Sequence, residues 1–585
     1  MTTLLRSEYP RPQFARREWL NLNGTWDFEY DDRDLGLKET WYKSNRAFSQ
    51  QIVVPFPFQS ELSGINDPTF HDVVWYRRSF ELPGDWQTKR VLLHFGAVDY
   101  RATVWLNGEF VREHEGGNTP FYAEINARPG WNTLVLRVED QSTDLEQPRG
   151  KQFWKAPSES IFYTRTTGIW QTVWLEPVES AYIERVHMTP NIDDLELKLE
   201  YRIAHPEAGQ ELEVDIRYHG RIMARETLQV QTMPYRASCV ITLPELHLWS
   251  PEQPNLYDVT LRLKDGDRAL DEVESYFGMR KVSTDAGQFL LNNAPYYQKL
   301  VLDQGYFPDS LLAAPSDDAL RQDVELTKAM GFNGVRKHQK VEDPRYLYWA
   351  DQLGLLVWGE MANCHTFGDT AIQRLTAEWQ EVIDRDYNHP SIVVWVPLNE
   401  SWGVPHLVTD KRQPDHANAL VYLTRSLDPT RLVVSNDGWE HTVSDLCTIH
   451  DYTANDAIAR RYKTATRAVA SKPANRRIYL PGYTYHGEPI ILSEFGGIAF
   501  KQSAWDGWGY SSVEDADEFT RCYREVMELV LSLPVINGYC YTQFCDVEQE
   551  INGLLTYDRR PKIDIELIRA INQAWQPVET SAQRV

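Results

Sequence analysis

The sequence predicts a multidomain protein in which two β-sandwiches precede a C-terminal (β/α)8 barrel. Its 585 residues exceed the roughly 100 to 200 residues of one domain and favour about three to five domains. Short segments of alternating or fully apolar character, separated by turn signals, fill the first half of the chain. After residue 283 helical and strand-like segments alternate, which is typical of a parallel sheet with helical connections. We place the domains at 1–177, 178–282 and 283–585.

The first two regions contain strand signals and no helical period. Segments such as 75–80 (WYRRSF) and 91–95 (VLLHF) are separated by turn signals such as the Asn-Gly pair at 107–108. In 211–217 and 256–263 every second residue is apolar, the pattern of a strand with one buried face. We therefore expect one sandwich of about 170 residues and a second of about 100 residues.

Helix signals begin in the third region. Ser316 or Asp317 can cap a helix that carries Leu320 and Val324 and ends at Gly331. Further helices are expected at 343–353, 376–387 and 417–427, and strands at 298–303, 332–336, 355–360, 392–400, 432–437, 447–451, 490–494 and 535–541. Eight strands with helical connections in about 300 residues are typical of a (β/α)8 barrel.

The composition is that of an ordinary globular protein and excludes two classes of partner. Acidic residues outnumber basic ones by 84 to 60, which gives a net charge of −24. A field of this sign repels nucleic acids and anionic membranes, and no apolar run approaches membrane-spanning length. Six scattered cysteines without a Cys-x-x-Cys pair indicate reduced thiols. Because the first residues carry no signal sequence, we expect a cytoplasmic protein, or a periplasmic or secreted one if a signal was removed. The sequence leaves open whether the chain forms a homo-oligomer.

Two glutamates end strand candidates on opposite sides of the predicted barrel. Active sites of such barrels lie at the carboxyl ends of the strands, where Glu400 ends the fourth strand and Glu494 the seventh. Hydrolysis of a glycosidic bond needs two carboxyl groups, one to protonate the leaving oxygen and one to attack or to activate water. The pair therefore indicates a glycoside hydrolase, although a single glutamate at a strand end is more often a solvated loop residue.

The chain as a whole resembles glycoside hydrolase family 2, the family of β-galactosidases, β-glucuronidases and β-mannosidases. The motifs that carry the resemblance follow the family's order: Arg11-Pro12 with 22–26 (LNGTW), 75–78 (WYRR), 104–108 (VWLNG), 167–171 (TGIWQ), 277–280 (FGMR), Asn399-Glu400 and 493–496 (SEFG). The resemblance implies that the first domain is a sugar-binding jelly roll, the second is immunoglobulin-like and the third is the catalytic TIM barrel.

The resemblance also implies a retaining mechanism. Glu494 would attack the anomeric carbon, and Glu400 would first protonate the leaving oxygen and then deprotonate the water that releases the sugar. Glu494 has to stay ionised, which a cation such as Arg336 at the end of strand two would favour. Retention predicts about 5 to 5.5 Å between the two carboxyl groups. Asn399 is the family's candidate for a hydrogen bond to the sugar 2-hydroxyl.

Other residues at the strand ends are candidates for binding the substrate, each with a structural alternative. Tyr452 would lie beside the nucleophile or be an ordinary aromatic residue of the rim. Trp358 and Trp402 would stack on sugar rings or pack in the core, and His338 would line the pocket or be structural. The remaining candidates are Asp303 with its neighbour Gln304, His365, and Gln543 on strand eight. No metal-binding spacing occurs, and we expect neither a metal nor a cofactor.

The sequence departs from familiar members of the family where the sugar is expected. Thr542 stands where β-galactosidases and β-glucuronidases have a tryptophan. The stretch 548–553 (EQEING) has the asparagine but not the lysine with which β-glucuronidases hold the uronate carboxylate. The Asn-Arg-His cluster of the magnesium-dependent β-galactosidases is missing from 301–308. We therefore expect an exo-acting retaining β-glycosidase for a terminal neutral sugar, β-galactosidase-like, with a glycoside or oligosaccharide as substrate.

Two alternatives remain. The same mechanism would serve another sugar: a β-glucuronide, a β-mannoside, a galactofuranoside or an arabinoside. The other alternative is a noncatalytic carbohydrate-binding protein on the same fold, although such a protein has no need of both Glu400 and Glu494.

Overall fold

The computed structural model describes residues 5–44, 46–232, 236–453, 456–502 and 507–574. The chain folds into two β-sandwiches followed by a barrel of eight parallel strands with α-helices around it. The predicted fold class is therefore confirmed. Within the described ranges no helix has the length and apolar character needed to cross a membrane.

The first domain is a sandwich of antiparallel strands. Its strands are β1 (Leu20–Asn21), β2 (Gly24–Tyr30), β3 (Gln50–Val54), β4 (Val73–Leu82), β5 (Arg90–Phe95), β6 (Val98–Asp99), β7 (Arg101–Leu106), β8 (Glu109–Glu115), β9 (Phe121–Ile125), β10 (Gly130–Glu139), β11 (Gly168–Ile169) and β12 (Val173–Val178). The sheets have the orders β3-β2-β4-β10-β7-β8 and β1-β12-β5-β9, with β6 and β11 as a separate pair. Inward side chains such as Trp26, Leu93 and Leu136 form one core between the sheets.

The second domain is a smaller sandwich with the alternation that the sequence predicted. Its strands are β13 (Tyr182–Asn191), β14 (Glu196–Ala204), β15 (Gln210–Tyr218), β16 (Arg221–Gln229), β17 (Arg236–Thr242), β18 (Tyr257–Asp265) and β19 (Arg268–Phe277). They form the sheets β13-β14-β17 and β16-β15-β18-β19. Every second residue of β18 is buried, and these side chains share a core with the facing sheet.

The third domain begins with a small sheet and continues as the barrel. The small sheet contains β20 (Val282–Asp285), β21 (Gln288–Leu291) and β22 (Ala294–Pro295). The barrel strands are β23 (Gln298–Asp303), β24 (Gly334–Lys337), β25 (Leu356–Glu360), β26 (Ile392–Val396), β27 (Leu432–Val433), β28 (Cys447–His450), β29 (Ile490–Gly496) and, after the pair β30 (Ile498–Phe500) and β31 (Ser511–Val513), β32 (Ile536–Thr542). They are parallel in the order β27-β26-β25-β24-β23-β32-β29-β28, so their carboxyl ends meet at one mouth.

Helices surround the barrel: α1 (Asp317–Ala329), α2 (Pro344–Leu353), α3 (Asp369–Asp386), α4 (Arg412–Leu427), α5 (Asp456–Arg461), α6 (Ala465–Ala470), α7 (Ala516–Leu531) and α8 (Ile565–Gln573). The Ser316 side chain caps α1 by accepting a hydrogen bond from the backbone N–H of Ala319. α3 begins before its predicted start at 376, because Ala371 and Leu375 already belong to its buried face.

The fifth strand is shorter than predicted. Its ladder ends at Val433, whereas the sequence predicted a strand through 437. Asn436 instead accepts a hydrogen bond from the backbone N–H of Ser401 (2.8 Å). Asp437 forms an ion pair with Arg336 (2.7 Å). Backbone pairing with the fourth strand resumes at the barrel mouth as an isolated bridge between Asn399 and Asp437.

Candidate active site

Glu400 and Glu494 approach each other at the mouth of the barrel. Glu494 lies within β29, and Glu400 lies on the loop after β26. One carboxylate oxygen of each lies within 4.8 Å of the other and of a ring nitrogen of His450. Glu494 is 5% exposed, and the Glu400 side chain is 21% exposed. The two nearest oxygens are therefore closer than the about 6.5 to 9.5 Å that separates the carboxyl groups of an inverting pair.

The loop that carries Glu400 has a strained backbone. The φ of Glu400 is 52° and that of Ser401 is 64°, in the left-handed region that residues with a Cβ rarely adopt. The N–H of Glu400 donates to the carbonyl oxygen of Asp437 (3.0 Å), and that of Ser401 donates to the Asn436 side chain (2.8 Å). These bonds hold the loop in the conformation that brings the Glu400 carboxyl group to Glu494.

The guanidinium of Arg336 connects the ends of four strands. It is fully buried and donates to Glu360 (2.7 Å) and Glu494 (2.8 Å). It also donates to the Asn399 side chain (2.7 Å) and lies 2.7 Å from the carboxylate of Asp437. A planar guanidinium offers five N–H groups in a rigid geometry, which suits this role. The structure thus places Arg336 on Glu494, as the sequence led us to expect.

His450, at the end of β28, is a second cation of the site. Its Nε2 lies 2.9 Å from Asp437, and its Nδ1 lies 2.8 Å from Glu400 and 3.5 Å from Glu494. Burial lowers the pKa of His450, but the charges of Glu494 and Asp437 outweigh this effect and raise it to about 10. Both ring nitrogens therefore carry protons at neutral pH.

Hydrogen-bond donors surround the carboxylate of Glu494. The Tyr452 hydroxyl donates to its Oε2 (2.7 Å), so the structure places this tyrosine beside the predicted nucleophile. Burial raises the pKa of Glu494. The charge of Glu400 raises it further, whereas His450 and Arg336 lower it. The donors thus favour the ionised form that a nucleophile needs, at a position where burial opposes it.

A chain of side-chain hydrogen bonds lies beside the two glutamates. The side-chain oxygen of Gln304 accepts from His338 Nδ1 (2.9 Å), and its amide nitrogen donates to Gln543 (2.9 Å), which donates to Asn552 (2.7 Å). Asn399 lies 3.2 Å from His338 Nε2. Burial lowers the pKa of His338 well below its ordinary value, so the ring is neutral, with its proton on Nδ1 and Nε2 accepting from Asn399. The side-chain oxygen and nitrogen of Gln543 both form hydrogen bonds within the protein, so this residue positions its neighbours.

Aromatic residues from two domains form a wall of the site. Trp154 and Phe162 belong to the first domain, and His365 and Trp402 belong to the barrel. The ring centroids lie 4.5 Å apart for Trp154 and His365 and 5.6 Å apart for Phe162 and Trp402. All four residues are partly exposed. Partly exposed rings beside two carboxyl groups suit stacking on the apolar face of a sugar.

Two residues predicted to bind substrate lie elsewhere, and these expectations are corrected. Trp358 is fully buried in the core of the barrel, where its indole N–H donates to Gln298 (2.8 Å), so it has no face for a sugar. Asp303 is 2% exposed. One of its oxygens pairs with Lys337, and the other accepts from the N–H of Gly305 (2.8 Å). Asp303 is therefore part of a buried ion pair between neighbouring strands.

The sequence reasoning did not assign roles to three charged residues of this centre: His450, Asp437 and Glu360. Each stands at or just past the end of a strand, the signal that selected Glu400 and Glu494. Burial raises the pKa of Glu360 to about 7 in spite of its bond to Arg336. The aromatic residues of the first domain had no such signal, because nothing in their local sequence relates them to the barrel.

Three family models match the chain domain by domain. "Glycosyl hydrolases family 2, sugar binding domain" matches residues 20–156, "Glycosyl hydrolases family 2" matches 181–280, and "Glycosyl hydrolases family 2, TIM barrel domain" matches 286–576. Together they cover most of the chain in the order in which the domains occur.

The similar proteins include β-glucuronidases and a β-galactosidase. The β-glucuronidase of Felis catus is 26% identical over 550 residues, 83% of this chain and 79% of that protein. The β-galactosidase of Thermoanaerobacter pseudethanolicus is 28% identical over 403 residues, 66% of this chain and 52% of that protein. The structure of the β-glucuronidase from Ruminococcus gnavus in complex with D-glucuronic acid has a TM-score of 0.77 at 20% identity, covering 97% of this chain and 100% of that one. This likeness supports the fold.

Proposed function

We propose that this chain, which belongs to glycosyl hydrolases family 2, removes a terminal β-linked sugar from a glycoside with retention of configuration. That it is a glycosidase follows from the family. The retaining mechanism is supported by one observation above all: carboxylate oxygens of Glu400 and Glu494 lie within 4.8 Å of each other at the barrel mouth.

In the first step Glu494 would attack the anomeric carbon while Glu400 gives its proton to the leaving oxygen, and the glycosidic bond breaks. Arg336, His450 and Tyr452 surround Glu494 with positive charge and donors. They stabilise the carboxylate before the attack and again when it leaves.

In the second step a water molecule would give a proton to Glu400 and attack the same carbon, which breaks the bond to Glu494 and releases the sugar. Glu400 is suited to this exchange because it is the more exposed of the pair. The wall with Trp402 would hold the sugar ring in place during both steps.

We propose two candidate sugars. The expected β-galactoside is favoured by the absence of a lysine from 548–553 and by the net charge of −24, which disfavours acidic substrates. A β-glucuronide is favoured by the names of similar proteins, such as the β-glucuronidase of Paenibacillus borealis, 24% identical over 600 residues.

Hydrolysis of p-nitrophenyl β-glycosides by the wild type and two variants tests the proposal. Glu494→Gln should lose activity by about 10⁴-fold or more, and Glu400→Gln should lose most of it. Adding azide to Glu494→Ala should give an α-glycosyl azide, and adding it to Glu400→Ala a β-glycosyl azide, because the anion replaces a different carboxylate in each. Glu528→Gln, on the exposed side of α7, is the matched control.

A wild type that binds sugars but cleaves none of a broad panel would support a carbohydrate-binding protein instead. An azide product of the same configuration from both variants would contradict the assigned roles.

A further inference from the structure

Lys151 is a buried cation without a counter-ion. It lies in the first domain between β10 and β11, and its carbonyl oxygen accepts from the N–H of Tyr163 (2.9 Å). The residue is only 4% exposed. In the part of the chain that the structure describes, no side-chain or backbone group forms a hydrogen bond or ion pair with its ammonium.

Lys151 differs in this respect from the other buried lysines and arginines among the described residues. Each of those donates to a carboxylate or to carbonyl oxygens, as Lys337 does to Asp303, Lys562 to Asp546 and Arg165 to the backbone at 68–69. An ammonium group at a nearly buried position needs hydrogen-bond partners that replace its lost hydration. A position that keeps one is therefore a candidate for binding an acceptor that comes from outside the chain.

The ammonium of Lys151 points across the domain boundary to the wall of the site. It lies 5.6 Å from the ring centroid of Tyr163 and 5.7 Å from that of Trp402. Trp402 follows Glu400 by two residues, and both are partly exposed. After burial, the charge of Lys151 is the largest influence that lowers the pKa of His338, a residue 3.5 Å from Glu494. These three relations place the ammonium at the edge of the substrate pocket.

Among the described residues, the other cations of the pocket already have partners. Arg336 contacts four acceptor side chains and the carbonyl oxygen of Ser493, and both nitrogens of His450 face carboxylates. Lys340 donates to the carbonyl oxygens of Gly305 and Leu312. An anionic group on the substrate would otherwise be repelled by the carboxylate of Glu494.

We propose that Lys151 binds the carboxylate of an acidic terminal sugar whose ring stacks on Trp402. This inference rests on the proposed function and selects the uronic acid glycosides among its candidate substrates. A carboxylate neutralises the ammonium, whereas a neutral hydroxyl replaces only part of its lost hydration. The lysine missing from 548–553 would thus be replaced by one from the first domain. Tyr163 links the two places, because its hydroxyl donates to Glu550 (2.6 Å).

Substitution of Lys151 tests the proposal with two substrates that differ at one carbon. Lys151→Met should lower kcat/KM for p-nitrophenyl β-D-glucuronide by about 100-fold or more, and for the β-D-glucoside by less than about 3-fold. Lys151→Arg should retain part of the activity on the glucuronide, because it keeps the charge. Lys155→Met removes a charge from an exposed position of the same loop and should change neither value.

A structural role for Lys151 predicts a large fall in the Tm of Lys151→Met. If the ammonium instead serves to bind a ligand, Lys151→Met should fold with an unchanged or higher Tm, because methionine fills nearly the same space without a charge. D-glucuronic acid should raise the Tm of Glu494→Gln, and this shift should vanish in the double variant with Lys151→Met.

Three results would overturn the inference: equal losses on the acidic and neutral substrates, a large fall in Tm for Lys151→Met, or a wild type that cleaves neutral glycosides but no glucuronide or galacturonide. In the last case the proposed glycosidase function stands. A wild type that cleaves no glycoside contradicts the proposed function itself.

Discussion

Replacing His450 by glutamine should move the acidic limb of the pH profile to higher pH. The imidazolium lies 3.5 Å from Glu494 and carries a charge at neutral pH, since its pKa is raised to about 10. In the proposed mechanism Glu494 has to be ionised to attack. Removing a neighbouring cation disfavours the ionised form and raises the pKa of Glu494, so a higher pH is needed to reach the same ionised fraction.

The magnitude follows from the distance. Unit charges 3.5 Å apart interact by about 1.2 kcal/mol at a dielectric constant of 80 and by about 4.7 kcal/mol at 20. At about 1.36 kcal/mol per unit, the pKa of Glu494 should rise by about 1 to 3.5 units. Glutamine retains a hydrogen bond to one of the two partners, Asp437 or Glu400, so most of the change is in charge.

The assay is kcat/KM against pH, which reports groups of the free enzyme. Circular dichroism and Tm verify that the variant is folded. His416→Gln is the control, because His416 is a buried histidine of α4 whose pKa burial lowers to about 4, and it makes no contact with Glu494. An acidic limb that stays in place or moves to lower pH in a folded His450→Gln would refute the reasoning.

Four further substitutions separate charge, hydrogen bonding, stacking and core packing. Arg336→Met should abolish activity and lower stability by about 3 to 5 kcal/mol in a denaturation experiment, because it leaves buried carboxylates unpaired; a stable, active variant would contradict this. Tyr452→Phe removes one hydrogen bond to Glu494 and should lower kcat/KM by about 10- to 100-fold at unchanged Tm; full activity would show that the bond has no role in the reaction. Trp402→Ala should raise KM by about 5- to 10-fold with little loss of stability, whereas Trp358→Ala should cost about 3 to 5 kcal/mol of stability. A loss of stability for Trp402→Ala together with a raised KM for Trp358→Ala would exchange the roles assigned to the two tryptophans.

The fold could be predicted because strand and helix periods reflect burial, and burial governs most of this chain. β18 alternates since one face meets the facing sheet, and α1 begins where Ser316 can cap it. β27 was predicted too long because Asn436 and Asp437 end an apolar run as the other strand ends do. The continuous ladder nevertheless stops at Val433, and the pairing beyond it is an isolated bridge between Asn399 and Asp437.

The rule that functional residues stand at the carboxyl ends of the barrel strands predicted the centre of the site better than its periphery. It selected Glu400, Glu494 and Arg336 because position along a strand decides which end of the barrel a residue reaches. It failed for Asp303 because position does not reveal the neighbour that neutralises a charge, here Lys337. For Trp358 it failed because the core of the barrel continues almost to the ends of the strands.

The first domain contributes to the site because long-range hydrogen bonds fix it against the barrel, and no local sequence pattern indicates these bonds. Asn118 and Thr119 donate to Glu378 and Glu381 of α3, and Tyr163 donates to Glu550. These bonds fix the sandwich against the barrel across some 260 to 390 positions of sequence. Because the sandwich is fixed, Phe162 meets Trp402 and the ammonium of Lys151 is enclosed at the pocket edge. If Lys151 binds the substrate as proposed, the domain contact also has a part in selecting the substrate.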